Sequence, residues 1–193
     1  APDSDEGGVR SVQMKTLIVA LCALPLLQQR ADELRIFKTW LDREHPGYSS
    51  DEGPAQFQNR TVDAAYPGRR FYYVLTYPRG IGILPNALSL VAQIDEHGTV
   101  MPLSLSSPAT YRPGLRRVAT PQHARQAAAA VLILALGDPG QRRWKFQEDR
   151  FTVARNKNGW VCTYSYGATY QSRVTFDRNG ALTTIDPRTP PVP

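Results

Sequence analysis

The chain has 193 residues and a mass of 21.5 kDa, with 41% hydrophobic and 21% charged residues, which suits one ordinary globular domain or two small ones. Its net charge is +6 and its pI about 9.5, carried almost wholly by arginine, since lysine occurs only at Lys15, Lys38, Lys145 and Lys157. Two cysteines, Cys22 and Cys162, exclude a disulfide framework, and neither has a CxxC partner or a histidine at metal-ligand spacing.

Residues 1–13, APDSDEGGVRSVQ, are acidic, glycine-containing and non-periodic, and are expected to be a disordered extension. Residues 14–28 read as a signal peptide. Lys15 supplies the positive start, residues 17–27 form an apolar run too short to span a bilayer, and Pro25 sits near its end. No A-x-A triplet follows, and the competing reading is a core helix running into the next segment. The export reading places the mature protein in a secreted or periplasmic compartment, with no membrane span.

The first helix is expected in QQRADELRIFKTWLDREHPG. Ala31, Leu34, Phe37 and Leu41 fall at helical spacing, Ile36 and Trp40 widen the apolar face, and His45-Pro46-Gly47 stops it. A second helix opens with Thr120 as N-cap and Pro121 at N1, then runs through HARQAAAAVLILALG to Gly137. Its stretch 127–136 is apolar all round, so burial on most sides is expected.

Strand-like runs rich in β-branched and aromatic residues occupy 71–77, 90–94, 99–105, 150–155, 160–166, 170–176 and 181–185. Three of the joints share one punctuation: DEHGT at 95–99, NKNGW at 156–160 and DRNGA at 177–181. An Asx that caps the backbone, a type I turn and a left-handed glycine make a hairpin. Three copies predict tight antiparallel hairpins and a meander.

The two halves also read alike. FQNRTVDAA parallels FQEDRFTVA, FYYVLTYP parallels WVCTYSYG, and AQIDEHGTV parallels VTFDRNGAL. The expected class is α+β, built of tandem α-ββββ units, each a helix on an antiparallel meander sheet, with residues 29–108 as the first unit and 109–193 as the second, ending in a Pro-rich tail. A helix followed by a four-stranded meander resembles the cystatin-type superfold, and is similar to PepSY-like and ketosteroid-isomerase-like arrangements. The glutamine-x-valine-x-glycine loop of protease-inhibiting cystatins is not found, so the resemblance implies a fold and no inhibitor activity.

Chemistry leaves few marks. His45, His97 and His123 fall at a helix stop, a turn and a helix start, and no P-loop, G-x-S-x-G, H-E-x-x-H or Rossmann glycine pattern occurs. No catalytic residue, metal or cofactor is expected, and Cys162 is expected to be a buried, inert thiol. The basic clusters Arg69-Arg70, Arg112/Arg116/Arg117 and Arg142-Arg143-Lys145 sit in or beside loops without a nucleic-acid pattern. Alternation puts Trp160, Cys162, Tyr164 and Tyr166 on one strand face. The candidate ligand-binding set is Tyr73, Tyr77, Trp160, Tyr164 and Tyr166, whose competing role is packing under the helices. Two functions follow. One is a non-enzymatic module that binds a protein or peptide. The other is a small-ligand or enzymatic pocket of the ketosteroid-isomerase-like type, using Tyr164, Tyr166 or Asp149.

Overall fold

Local capping chemistry lays out the elements. The computed structural model describes residues 28–29, 31–46, 48–49, 54–78, 88–95, 97–137, 147, 150–166 and 170–187, with the side chains of 48, 49, 76–78, 88 and 170 left aside. The expected extension 1–13, all of the expected signal segment 14–28 except Gln28, Asp149, the 142–145 cluster and the Pro-rich tail from 188 lie outside them. The chain is α+β, with two antiparallel sheets and a few helices.

Helix α1 covers residues 31–44, and strands β1 (Tyr48–Ser49) and β2 (Ala55–Phe57) follow it. Next come helix α2 (Arg60–Ala65) and strands β3 (Phe71–Pro78), β4 (Leu88–Ile94) and β5 (Val100–Pro102). A 3-10 turn at Pro108–Tyr111 precedes helix α3 (Pro121–Leu136). Strands β6 (Phe151–Asn156), β7 (Gly159–Tyr166), β8 (Tyr170–Asp177) and β9 (Leu182–Asp186) complete the order. The first sheet runs β1-β3-β4-β5, with β2 also on β3, and the second runs β6-β7-β8-β9 as an unbroken meander.

The hairpin punctuation works in two forms. Asp95 Oδ1 accepts from His97 N at 2.9 Å and Thr99 N at 2.8 Å, and Asp177 Oδ1 accepts from Asn179 N at 2.8 Å and Ala181 N at 2.9 Å. Gly98 and Gly180 take the left-handed position, at φ 79° and 76°. The third copy closes differently: Asn156 pairs directly with Gly159, so only Lys157 and Asn158 form the loop.

The expected parallel between FQNRTVDAA and FQEDRFTVA is not kept. In the first segment, Asn59 Oδ1 accepts from Thr61 N at 3.0 Å and Val62 N at 3.3 Å, which caps a helix. The corresponding stretch of the second segment is strand β6. The third strand of the first half is also shorter than the expected 99–105. It ends at Pro102, after which Ser104 N turns away to donate to Thr110 Oγ1 at 3.0 Å.

Both helical readings hold. Thr120 Oγ1 accepts from His123 N at 3.2 Å and Gly137 ends α3. Ala124 and every residue from 127 to 134 are buried. The reason is position: α3 packs against β6, β7 and β8, against α2, and against β4 of the other sheet. Phe57, Phe71 and Val91 of the first sheet share its core with Trp160, Cys162, Tyr164, Val174, Phe176 and Leu182 of the second. On the opposite face of the first sheet, Phe37 and Leu41 of α1 cover Tyr72, Val74, Ala92 and Ile94. The layers are therefore helix, sheet, helix, sheet. No described helix is long and apolar enough to cross a membrane.

Candidate functional site

The aromatic set divides into packed and partly open members. Trp160 and Tyr164 are buried, and Phe151 and Tyr166 each lie 4.7 Å from the Tyr164 ring, centroid to centroid. The Tyr164 hydroxyl accepts from Gln147 N at 3.1 Å, and the Arg155 guanidinium lies 5.1 Å over the Trp160 ring. Tyr166 is half-buried, and burial raises its phenol above the ordinary range, with the neighbouring Ser172 acting in the opposite direction. Tyr73 stands on the first sheet against Phe57, ring centroids 5.7 Å apart. The Tyr77 side chain lies outside the described ones. The structure thus brings Trp160, Tyr164 and Tyr166 together under α3, and Tyr73 belongs to a different sheet.

Cys162 Sγ donates to Ala124 O at 3.4 Å, and burial pushes its thiol up to about 12, with Arg125 pulling weakly the other way. Among the described residues, no group of three His, Cys, Asp or Glu side chains is placed to hold a metal. His45 packs edge-on against Trp40, centroids 5.5 Å apart.

The best-organised polar constellation lies elsewhere, between α1 and the start of β3 in the first sheet. Glu33 on α1 is 8% exposed, Tyr72 on β3 is fully buried, and Arg70 stands just before β3. Tyr72 Oη donates to Glu33 Oε2, and Arg70 Nη2 donates to Glu33 Oε1 at 2.5 Å. Both carboxylate oxygens are thereby satisfied, which makes burial of the charge tolerable. Glu33 was legible in one respect. It stands four residues before Phe37 and eight before Leu41, so the helical period already puts a carboxylate on the buried stripe.

Beside this cluster, a surface groove of about 560 Å³ runs where the chain passes from β2 into α2, opposite the entry to β3. Arg60, Arg69 and Arg70 line it together with Gln56, Gln58 and Asp63. A second groove of about 580 Å³ follows α1 along the β4–β5 hairpin, between Arg35, Trp40, Arg43 and Val100. Two of the basic clusters read as scattered along the sequence, Arg69-Arg70 and Arg112/Arg116/Arg117, lie on segments that meet. The stem of Arg69 lies over Gly114, where an added Cβ would be 2.4 Å from Arg69 Cγ, and Arg116 N donates to Ala65 O at 3.0 Å. The 112–117 segment therefore sits against Ala65 of α2 and against Arg69.

Compared with known proteins, the chain matches no protein family, no curated protein and no solved structure.

Proposed function

We propose that the protein is an exported, non-enzymatic interaction module assembled from two helix-backed sheets of the cystatin-like kind, and that it engages its partner through its surface. The observation that carries this reading is the placement of the sequence-expected aromatic set. Trp160 and Tyr164 are packed as core beneath α3, where a pocket enzyme of the ketosteroid-isomerase-like type would need them lining a chamber. Among the described residues, the tyrosine–carboxylate pair Tyr72 with Glu33 is buried under α1, and each carboxylate oxygen already holds a donor, Tyr72 on one and Arg70 on the other.

A titration with planar apolar ligands, read by tryptophan fluorescence and thermal shift, tests the choice. No saturable response is expected. A saturable response that Tyr166→Phe abolishes would favour the pocket reading. Export rests on residues 14–28 and is checked by intact mass of the extracytoplasmic product from a chain started at Met14, which should lack the 17–27 run.

A further inference from the structure

We propose that the groove bounded by Arg60, Arg69 and Arg70 is the contact site for an acidic peptide segment, its carboxylates received by the guanidinium groups. The inference rests on the surface-binding reading and says where the surface acts and on what chemistry.

Three observations converge on it. First, Arg70 is pre-positioned. Glu33 grips it from behind at 2.5 Å, and Glu33 is itself held by the buried Tyr72 hydroxyl, so the guanidinium is oriented before any ligand arrives. A fork fixed in this way loses little conformational freedom when it binds an oxyanion. Second, the arginine at its side is steadied by a different part of the chain, with the Arg69 stem lying across Gly114 of the loop that Arg116 N ties to Ala65 O. Third, the charge is unbalanced: among the described residues, Arg60, Arg69 and Arg70 line the groove against the lining carboxylate of Asp63 and the carboxylate of Glu33 that pairs with Arg70, an excess of one positive charge. Among the described residues, Arg60 and Arg69 enter no salt bridge.

The shape favours a peptide over a compact anion. The volume, about 560 Å³, is several times what one phosphate or carboxylate group fills. Gln56 and Gln58 add amide donors and acceptors between the arginines, suited to a peptide backbone. Gln56 also belongs to β2, which pairs only with β3, so among the described residues the other edge of β2 is open beside the groove.

The test is anisotropy of a fluorescein-labelled oligoglutamate peptide titrated with the full chain at low salt. Saturable binding is expected. Arg60→Gln with Arg69→Gln should weaken it by about tenfold or more, and Arg35→Gln with Arg43→Gln, an equal loss of two exposed charges on α1, should change it by less than about twofold. No saturable binding, or equal weakening by Arg35→Gln with Arg43→Gln, would overturn the proposal. Displacement of the peptide by inorganic phosphate at concentrations where acetate is inert would reassign the groove to phosphate and overturn the peptide assignment. These outcomes are separate from the apolar-ligand titration, which probes the α3 side of the second sheet and involves none of these arginines.

Discussion

Strands β3 and β7 pose the same local problem and solve it in opposite ways. In β3, Phe71 and Tyr73 face α3 while Tyr72 and Val74 face α1, so apolar side chains are needed on both sides. In β7, Trp160, Cys162 and Tyr164 are buried under α3, and Val161, Thr163 and Ser165 form a half-exposed outer face. That outer face continues across the sheet as rows of mostly polar residues: Thr152, Thr163, Arg173 and Asp186 are in register, followed by Ala154, Val161, Thr175 and Thr184. The sequences carry the difference openly. FYYV is a continuous apolar run, whereas WVCTYSY alternates. The one carboxylate that α1 buries against this sheet, Glu33, is matched there by the Tyr72 hydroxyl and by Arg70 at the entry to β3.

Four measurements break or sharpen that contrast, the first with the largest expected effect. The turns at Asp95 and Asp177 share their hydrogen bonds but not their surroundings. A Cβ on Gly180 would lie 2.2 Å from Val118 O, backbone that cannot swing away, while one on Gly98 would meet only Ile36 Cδ1 at 3.4 Å. Gly180→Ala should therefore cost about 3 kcal/mol or more in urea unfolding, and Gly98→Ala about 1 kcal/mol from backbone strain alone. Equal losses would mean that the 112–118 segment does not buttress the second sheet.

Next, Glu33→Ala should destabilise by about 2–3 kcal/mol, because it strands the Tyr72 hydroxyl in the core and leaves Arg70 without its partner. A loss below about 0.5 kcal/mol, the size of an ordinary surface change, would show the cluster to be solvated. Third, Val74→Ala should cost about 2 kcal/mol and Val161→Ala well under 1 kcal/mol, since only Val74 lies beneath a covering helix. Similar values would remove the distinction between a doubly and a singly covered sheet.

Near neutral pH the smallest effect is the one that pH brings, since it sets in only gradually above about pH 9. The Cys162 thiol ionises near 9.0 when unfolded and is pushed up to about 12 by burial in the folded state. The phenols of Tyr66 and Tyr111 are likewise raised by burial. As pH rises, the unfolded chain releases these protons first. The thiol's contribution to stability is thus complete below about pH 9 and is lost between there and about pH 12, and that of the phenols begins to be lost only above about pH 10. Denaturation midpoints taken across that window should fall steadily. Iodoacetamide should label native Cys162 far more slowly than a free thiol. A flat profile with rapid labelling would place Cys162 outside the core.

Much of this was readable before any coordinates. Thr120, Pro121 and Gly137 bracket α3, and its all-round apolar surface announces that something lies on every side. The Asx–Gly turns announce the hairpins because their chemistry is complete within five residues. Helix α2 was missed because Thr61 and Val62 are β-branched and argue for a strand; the sole contrary signal, Asn59 with Asp63 following in the first turn, is easily outweighed. The Glu33 cluster required three residues up to 39 positions apart to meet, and no local rule encodes that meeting. Arg69 and Gly114 are hidden from sequence for the same reason. The aromatic set was legible as one face of β7, but alternation alone does not say whether a face meets ligand or helix.

The shared position of α3 has a consequence for how the chain comes to its fold during synthesis. Phe57, Phe71 and Val91 of the first sheet are completed by a helix that begins at Pro121 and ends at Leu136. On a growing chain these side chains stay uncovered while some forty-five further residues beyond Val91 are made, a wait of several seconds at roughly 5–20 residues per second. Throughout that interval the nascent first sheet has α1 on one side and bare aromatic surface on the other, a species prone to self-association or chaperone capture. Once α3 closes over it, the amides of 127–134 are expected to exchange only through global opening, so the last helix to reach the first sheet becomes the slowest part of the molecule to reopen.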